Sequence, residues 1–101
     1  MAEQRTHPRY ECVVPLGSDW TLIDISEGGC QIEVPCEITV GALCPVVFER
    51  VLPEHMNRFN VRVVNMREST ETGRFRLHGC FLPFSDRVRN ELRSKLTQLS
   101  R

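Results

Sequence analysis

Between Tyr10 and Phe81 the apolar side chains come in short runs, several of them on every second residue. Phe75, Leu77, Gly79 and Phe81 alternate with Arg74, Arg76 and His78, and Cys30, Ile32 and Val34 alternate with Gln31 and Glu33. A period of two is that of a strand with one buried and one wet face. The runs at 10–16, 20–26, 30–34, 43–52, 59–66 and 75–81 therefore predict six strands. Trp20, Leu22, Ile23 and Ile25 make the second run apolar on both parities. In the fifth, Phe59, Val61 and Val63 keep step and Val64 and Met66 then change it, which predicts a β-bulge near Val63-Val64. Pro35 and Gly41-Ala42 break the chain, and the polar stretch from Arg67 to Gly73 reads as a hairpin loop.

The pattern changes once. Val88, Leu92, Leu96 and Leu99 recur at three- and four-residue spacing, the stripe of an amphipathic helix over 85–99. Ser85 is placed to cap it, and Asp86 suits its positive end. Six short strands and one helix predict an all-β domain with one C-terminal helix, a small six-stranded antiparallel β-barrel. Closing such a barrel would leave no strand edge free. The 101 residues fit a single domain: an N-terminal arm at 1–9, the barrel at 10–84, the helix at 85–99. The arm has no apolar side chain after Ala2, so little burial offsets the entropy of fixing it.

Formal net charge is zero, which argues against bulk attraction to nucleic acid or to an anionic membrane. No run approaches the roughly 20 apolar residues of a membrane span, and the N-terminus has no apolar signal core. The expectation is a cytoplasmic domain without membrane insertion. Cys12, Cys30, Cys36, Cys44 and Cys80 are odd in number and form no CxxC pair, which argues against a disulfide framework and a structural zinc site. Cys12, Cys30 and Cys80 sit within apolar alternation, where a free thiol packs as a small hydrophobe. His78 and Cys80 share a strand face but have no evident further ligands. No catalytic signature surrounds any cysteine, so neither a metal nor an enzymatic role is expected.

Chemistry concentrates at Asp24-Ile25-Ser26-Glu27-Gly28-Gly29, between the second and third runs. Gly28-Gly29 suit a turn with φ > 0 and allow a ligand close to the backbone. Asp24 and Ser26 alternate, so they present a carboxylate and a hydroxyl on one face. The same residues would also serve a simple Asx-turn. Before the first run lies Arg5-Thr6-His7-Pro8-Arg9. Pro8 disfavours a helical His7, so the segment reads as extended or turned. On such a segment its two arginines can be separated by up to about 13 Å along the backbone. Arginine suits bidentate contact with phosphate and with the O6/N7 edge of guanine, although two arginines can equally be a solvated basic terminus. The chain carries twelve arginines and one lysine, a bias toward geometric rather than diffuse anion contacts.

Taken together, Arg5-x-x-x-Arg9 before the first strand and Asp24-x-Ser26-x-x-Gly29 after the second resemble the two motifs of the PilZ domain family. Gly41, Gly79-Cys80-Phe81 and the terminal helix extend the resemblance over nearly the whole chain. The resemblance implies a non-enzymatic bacterial receptor for cyclic di-GMP. Arg5 and Arg9 would then bind phosphate or guanine, Asp24 would accept from guanine N1–H and N2–H, Ser26 would add a hydroxyl, and Gly29 would admit the ligand. Gln4, His7 and Gly28 are further candidate contacts. Family members vary at the position held here by Gln4, which bears on whether one or two ligand molecules bind. Binding would order the arm and signal to an unidentified protein partner. The alternative is an adaptor of the same fold, serving pilus, motility or secretion machinery, that binds no nucleotide. A single-strand nucleic-acid binder is disfavoured by zero net charge and by the presence of only one Trp and one Tyr.

Overall fold

The computed structural model describes residues 10–17 and 19–99. Six strands form in chain order: β1 (Tyr10–Pro15), β2 (Thr21–Ile25), β3 (Gly29–Val34), β4 (Leu43–Val47), β5 (Arg58–Glu68) and β6 (Phe75–Phe81), followed by α1 (Asp86–Leu99). They make one antiparallel sheet in the order β1-β2-β3-β6-β5-β4. The sheet curls into a half-barrel. Among the described residues no ladder joins β1 to β4, so the expected closure is incomplete and these two strands remain edges. Pro45 sits in β4, where its missing N–H removes a donor from an edge rather than from the middle of the sheet.

The inner face is built from the alternating residues. Leu22, Ile25, Ile32, Val34, Phe48, Val61 and Leu77 have no exposed surface. Each fully buried aliphatic or aromatic side chain contributes about 1.5–3 kcal/mol. Phe48, Phe59, Phe81 and Phe84 form an aromatic cluster with ring centroids 4.9–6.2 Å apart. The register of β5 on β6 shifts between Val63 and Asn65, where the parity of the sequence changes. Val64 is consequently half-exposed while Val63 is buried. A second shift, between Leu22 and Asp24 of β2, explains why that run is apolar on both parities. Leu22 and Ile25 both reach the core across it.

The fourth run ends earlier than its apolar content suggests. β4 stops at Val47, and the chain then turns, with Leu52 N–H bonded to Phe48 C=O at 2.9 Å. The turn buries both Phe48 and Leu52 and leaves Glu49 and Arg50 in solvent, which a continued strand could not do. In the β5–β6 hairpin Gly73 takes φ +71°, a conformation that an L side chain strains to reach.

The helix starts where its cap is. Ser85 Oγ accepts from Val88 N–H at 3.3 Å, and Asp86 opens the first turn. Leu92 and Leu96 insert fully into the core, and α1 runs close to β1. The apolar stripe thus covers the open half-barrel, and the opposite face meets solvent.

Candidate functional site

The β2–β3 connection is a tight turn stitched by one residue. Ser26 N–H bonds Gly29 C=O at 2.8 Å, and Ser26 Oγ accepts from Gly28 N–H at 3.2 Å and Gly29 N–H at 3.3 Å. The local-turn role of Ser26 is therefore real. Its hydroxyl is held on the cleft side by two long hydrogen bonds. The expected left-handed glycines are not found in the turn: among the described glycines positive φ occurs at Gly17, Gly41 and Gly73, and at neither Gly28 nor Gly29. Gly29 is needed for a different reason. A Cβ there would lie 2.1 Å from Gly79 C=O on β6, so only glycine lets β3 approach β6 at this end of the ladder.

Asp24, Ser26, Gly28 and Gly29 line one shallow cleft of about 110 Å³, closed on its other side by His78 and Cys80 of β6. The bulge in β2 turns Asp24 outward, opposite Gln31 of β3. Its charge adds to the upward shift of the neighbouring thiols. Burial, and secondarily Asp24, pushes Cys12 up; burial, then Asp24, then Cys80 pushes Cys30 up further. The shared face of His78 and Cys80 is as the alternation implies, but Cys80 is exposed rather than packed. It belongs to the wet parity of β6, opposite Leu77, Gly79 and Phe81. Among the described residues no group of three or more His, Cys, Asp or Glu could hold a metal.

Glu27 is the residue that sequence reasoning passed over. It is buried inside the motif, and Arg93 of α1 holds it with both arms of its guanidinium, Nε to Oε2 at 3.0 Å and Nη2 to Oε1 at 3.1 Å. The hydrogen bond to Glu27, followed by its charge, raises the pKa of Arg93. Arg93 stands next to Leu92 but outside the apolar stripe of Val88, Leu92, Leu96 and Leu99. The available signal was a carboxylate placed among glycines in a turn with no charge of opposite sign nearby in sequence.

Of the candidate site residues, the structure brings together Asp24, Ser26, Gly28 and Gly29. Gln4, Arg5, His7 and Arg9 lie outside the described residues. β1 begins at Tyr10, paired with Ile25, so the chain enters the sheet directly beside the Asp24–Gly29 turn.

A curled antiparallel sheet and one covering helix define a small β-domain with a polar, glycine-lined cleft at the β2–β3 turn. A sequence profile of the PilZ domain matches residues 3–98, and the chain belongs to the PilZ domain family. Solved structures agree in fold. The inhibitor of motility MotI/DgrA of Bacillus subtilis superposes with TM-score 0.73 at 11% identity, over 96% of this chain and 51% of that one. The K. pneumonia MrkH–c-di-GMP complex gives TM-score 0.68 at 14% identity, over 97% and 52%. The PilZ domain of YcgR from Escherichia coli with c-di-GMP gives 0.65 at 18%, over 96% and 92%. The chain thus spans about half the length of the first two and nearly all of the third. Comparison with curated protein sequences finds no match.

Proposed function

We propose that this domain is a cyclic di-GMP receptor that acts without catalysis, orders its N-terminal arm over the ligand and passes the signal to a protein partner. The observation that carries the reading is the pairing of Tyr10 with Ile25 beside the cleft. In the sequence Arg9 immediately precedes Tyr10, and Arg5 lies four residues before Arg9. At about 110 Å³ the cleft is smaller than the roughly 300 Å³ at which ligand pockets begin. It suits one edge of a guanine, with the rest of the ligand left for another wall. Arg5 and Arg9 supply that wall, on phosphate or on guanine O6/N7. Asp24 accepts from guanine N1–H and N2–H, Ser26 contributes its hydroxyl, and Gly28 and Gly29 leave room for the ligand. Gln4 and His7 flank the contact. Family membership and two neighbours solved with c-di-GMP support the choice of ligand.

Among the described residues no helix is long and apolar enough to cross a membrane. The receptor reading places the domain's action in the cytoplasm of a bacterial cell. Titration calorimetry with cyclic di-GMP, beside GTP and a short oligonucleotide, tests the reading. Saturable heat with cyclic di-GMP at the lowest concentration is the expected result. Absence of saturation with all three returns the domain to a nucleotide-independent adaptor.

A further inference from the structure

A second polar groove lies on the outer face of the sheet, across β3, β6 and β5, with a volume of about 530 Å³. Its size falls within the range of about 300–1,000 Å³ that takes a nucleotide-sized ligand. Arg76 of β6 faces Arg67 of β5 directly in the ladder, and both are exposed. Like charges opposite one another on a sheet face are destabilising, so the pair needs an explanation outside the fold.

Local carboxylates do not supply one. Glu33, which faces Arg76 from β3, is bound by Arg74 at 3.1 Å, and the same guanidinium takes Asp19 at 3.1 Å. Glu68 and Glu71 line the hairpin end of the groove and pair with neither arginine. Arg76 is steered only by the neutral amide of Gln31, Nη1 to Oε1 at 3.3 Å. The Arg67 side chain makes no hydrogen bond or ion pair among the described residues.

We propose that this groove is a second, separate anion site, in which Arg67 and Arg76 together hold the phosphate of a nucleotide. Side chains opposed in a ladder start about 5 Å apart at Cβ, close enough for two guanidiniums to share one phosphate, each through paired N–H donors. The next row along the face carries Gln31, His78 and Asn65, whose amides and imidazole can meet the rest of the ligand. Only His78 also touches the Asp24–Ser26 cleft. The arginine row lies two rows from Gly29 and Cys80, about 13 Å away. The site therefore does not depend on the receptor reading above.

Amide chemical-shift titration tests this, with inorganic pyrophosphate, GTP and cyclic di-GMP as separate probes. Saturable shifts at Gln31, Asn65, Arg67 and Arg76 with pyrophosphate and GTP assign the groove to terminal phosphates; saturable shifts there with cyclic di-GMP extend it to phosphodiesters. The Arg67→Gln/Arg76→Gln double variant should bind the active probe at least tenfold more weakly and melt no lower than the parent. Arg67→Gln alone, which breaks no contact, gives the same direction if the double variant misfolds. No saturation at the groove with any probe, or equal affinity in Arg67→Gln, overturns the proposal.

Discussion

Replacing Gly29 with alanine separates the two meanings a motif glycine can have. The added Cβ would sit 2.1 Å from Gly79 C=O and 3.1 Å from Gly79 C and Cys80 Cα, where ordinary contact begins at 3.4 Å. All three obstacles are backbone, so no rotamer change relieves them. β3 and β6 must separate by more than an ångström, against a normal strand spacing of about 4.8 Å. The ladder that would open runs from Gly29 to Val34 against Cys80 to Phe75 and carries Ile32 and Leu77 in the core. Overpacking costs about 1–3 kcal/mol, and a rigid backbone obstacle places this case at the upper end, about 3 kcal/mol. For a domain of this size that lowers Tm by roughly 12–24 °C. Gly79 is the control. A Cβ there would meet a side-chain methyl, Val61 Cγ1, at 2.1 Å, with Arg62 C=O next at 3.3 Å. Gly79→Ala should therefore be substantially rescued by Val61→Ala, and Gly29→Ala by no side-chain truncation. Urea and thermal unfolding of the four proteins give the answer. A Gly29→Ala protein that melts within 2 °C of the parent would refute the close-approach argument and leave that glycine to the ligand alone.

Four further outcomes are expected. Arg5→Ala and Arg9→Ala should each weaken cyclic di-GMP by about 1–3 kcal/mol in calorimetry while leaving the circular dichroism spectrum unchanged. Ligand should raise amide exchange protection at residues 5–9 and 24–29 together, and Asp24→Ala/Ser26→Ala should abolish the rise at both. In alkylation followed by mass spectrometry, exposed Cys36 and Cys80 should react first and buried Cys30 last, and chelator should not lower Tm. Because Cys12 and Cys30 have raised pKa values in the folded protein, their contribution is present at neutral pH. It is lost as pH climbs past the ordinary thiol value of about 8.5 toward the raised ones, so stability should fall on the alkaline side, and less so in Cys30→Ala measured against its own neutral-pH value.

Much of the fold is legible in the sequence because each element carries its own period. β6 runs from Phe75 to Phe81 as its alternation indicates, the bulge at Val63–Asn65 is visible as a change of parity, and Ser85 caps α1 where Asp86 begins it. What failed depended on partners distant in sequence. The run from Leu43 to Leu52 looks continuous, and only the need to bury Phe48 and Leu52 together bends it. Gly29 looks like a turn glycine, and only the position of Gly79, fifty residues on, shows it to be a packing glycine. In the site, the Asp24–Ser26 face was legible from local spacing. The wall formed by His78 and Cys80 was not, because strand order places β6 rather than β4 beside β3.

The same long-range logic gives the glycine-rich turn its mechanical setting. Ser26 closes the turn on itself, Gly29 locks its far end against β6, and Glu27 is gripped from outside by Arg93 of the covering helix. These tethers pull on different layers. A ligand seated on Asp24 and Ser26 cannot displace the Gly29 end without opening the β3–β6 ladder, which holds core residues on both strands. The Glu27 end meets a guanidinium whose side chain is 56% exposed. The compliant direction at the site is therefore toward α1, and the bidentate geometry makes the link selective. Lysine at position 93 would keep the charge and lose the paired donors, so Arg93→Lys should uncouple the turn from the helix almost as well as Arg93→Ala. Exchange protection across Val88–Leu96 in the two variants measures that coupling, and equal protection in Arg93→Lys and the parent would show that charge alone carries it.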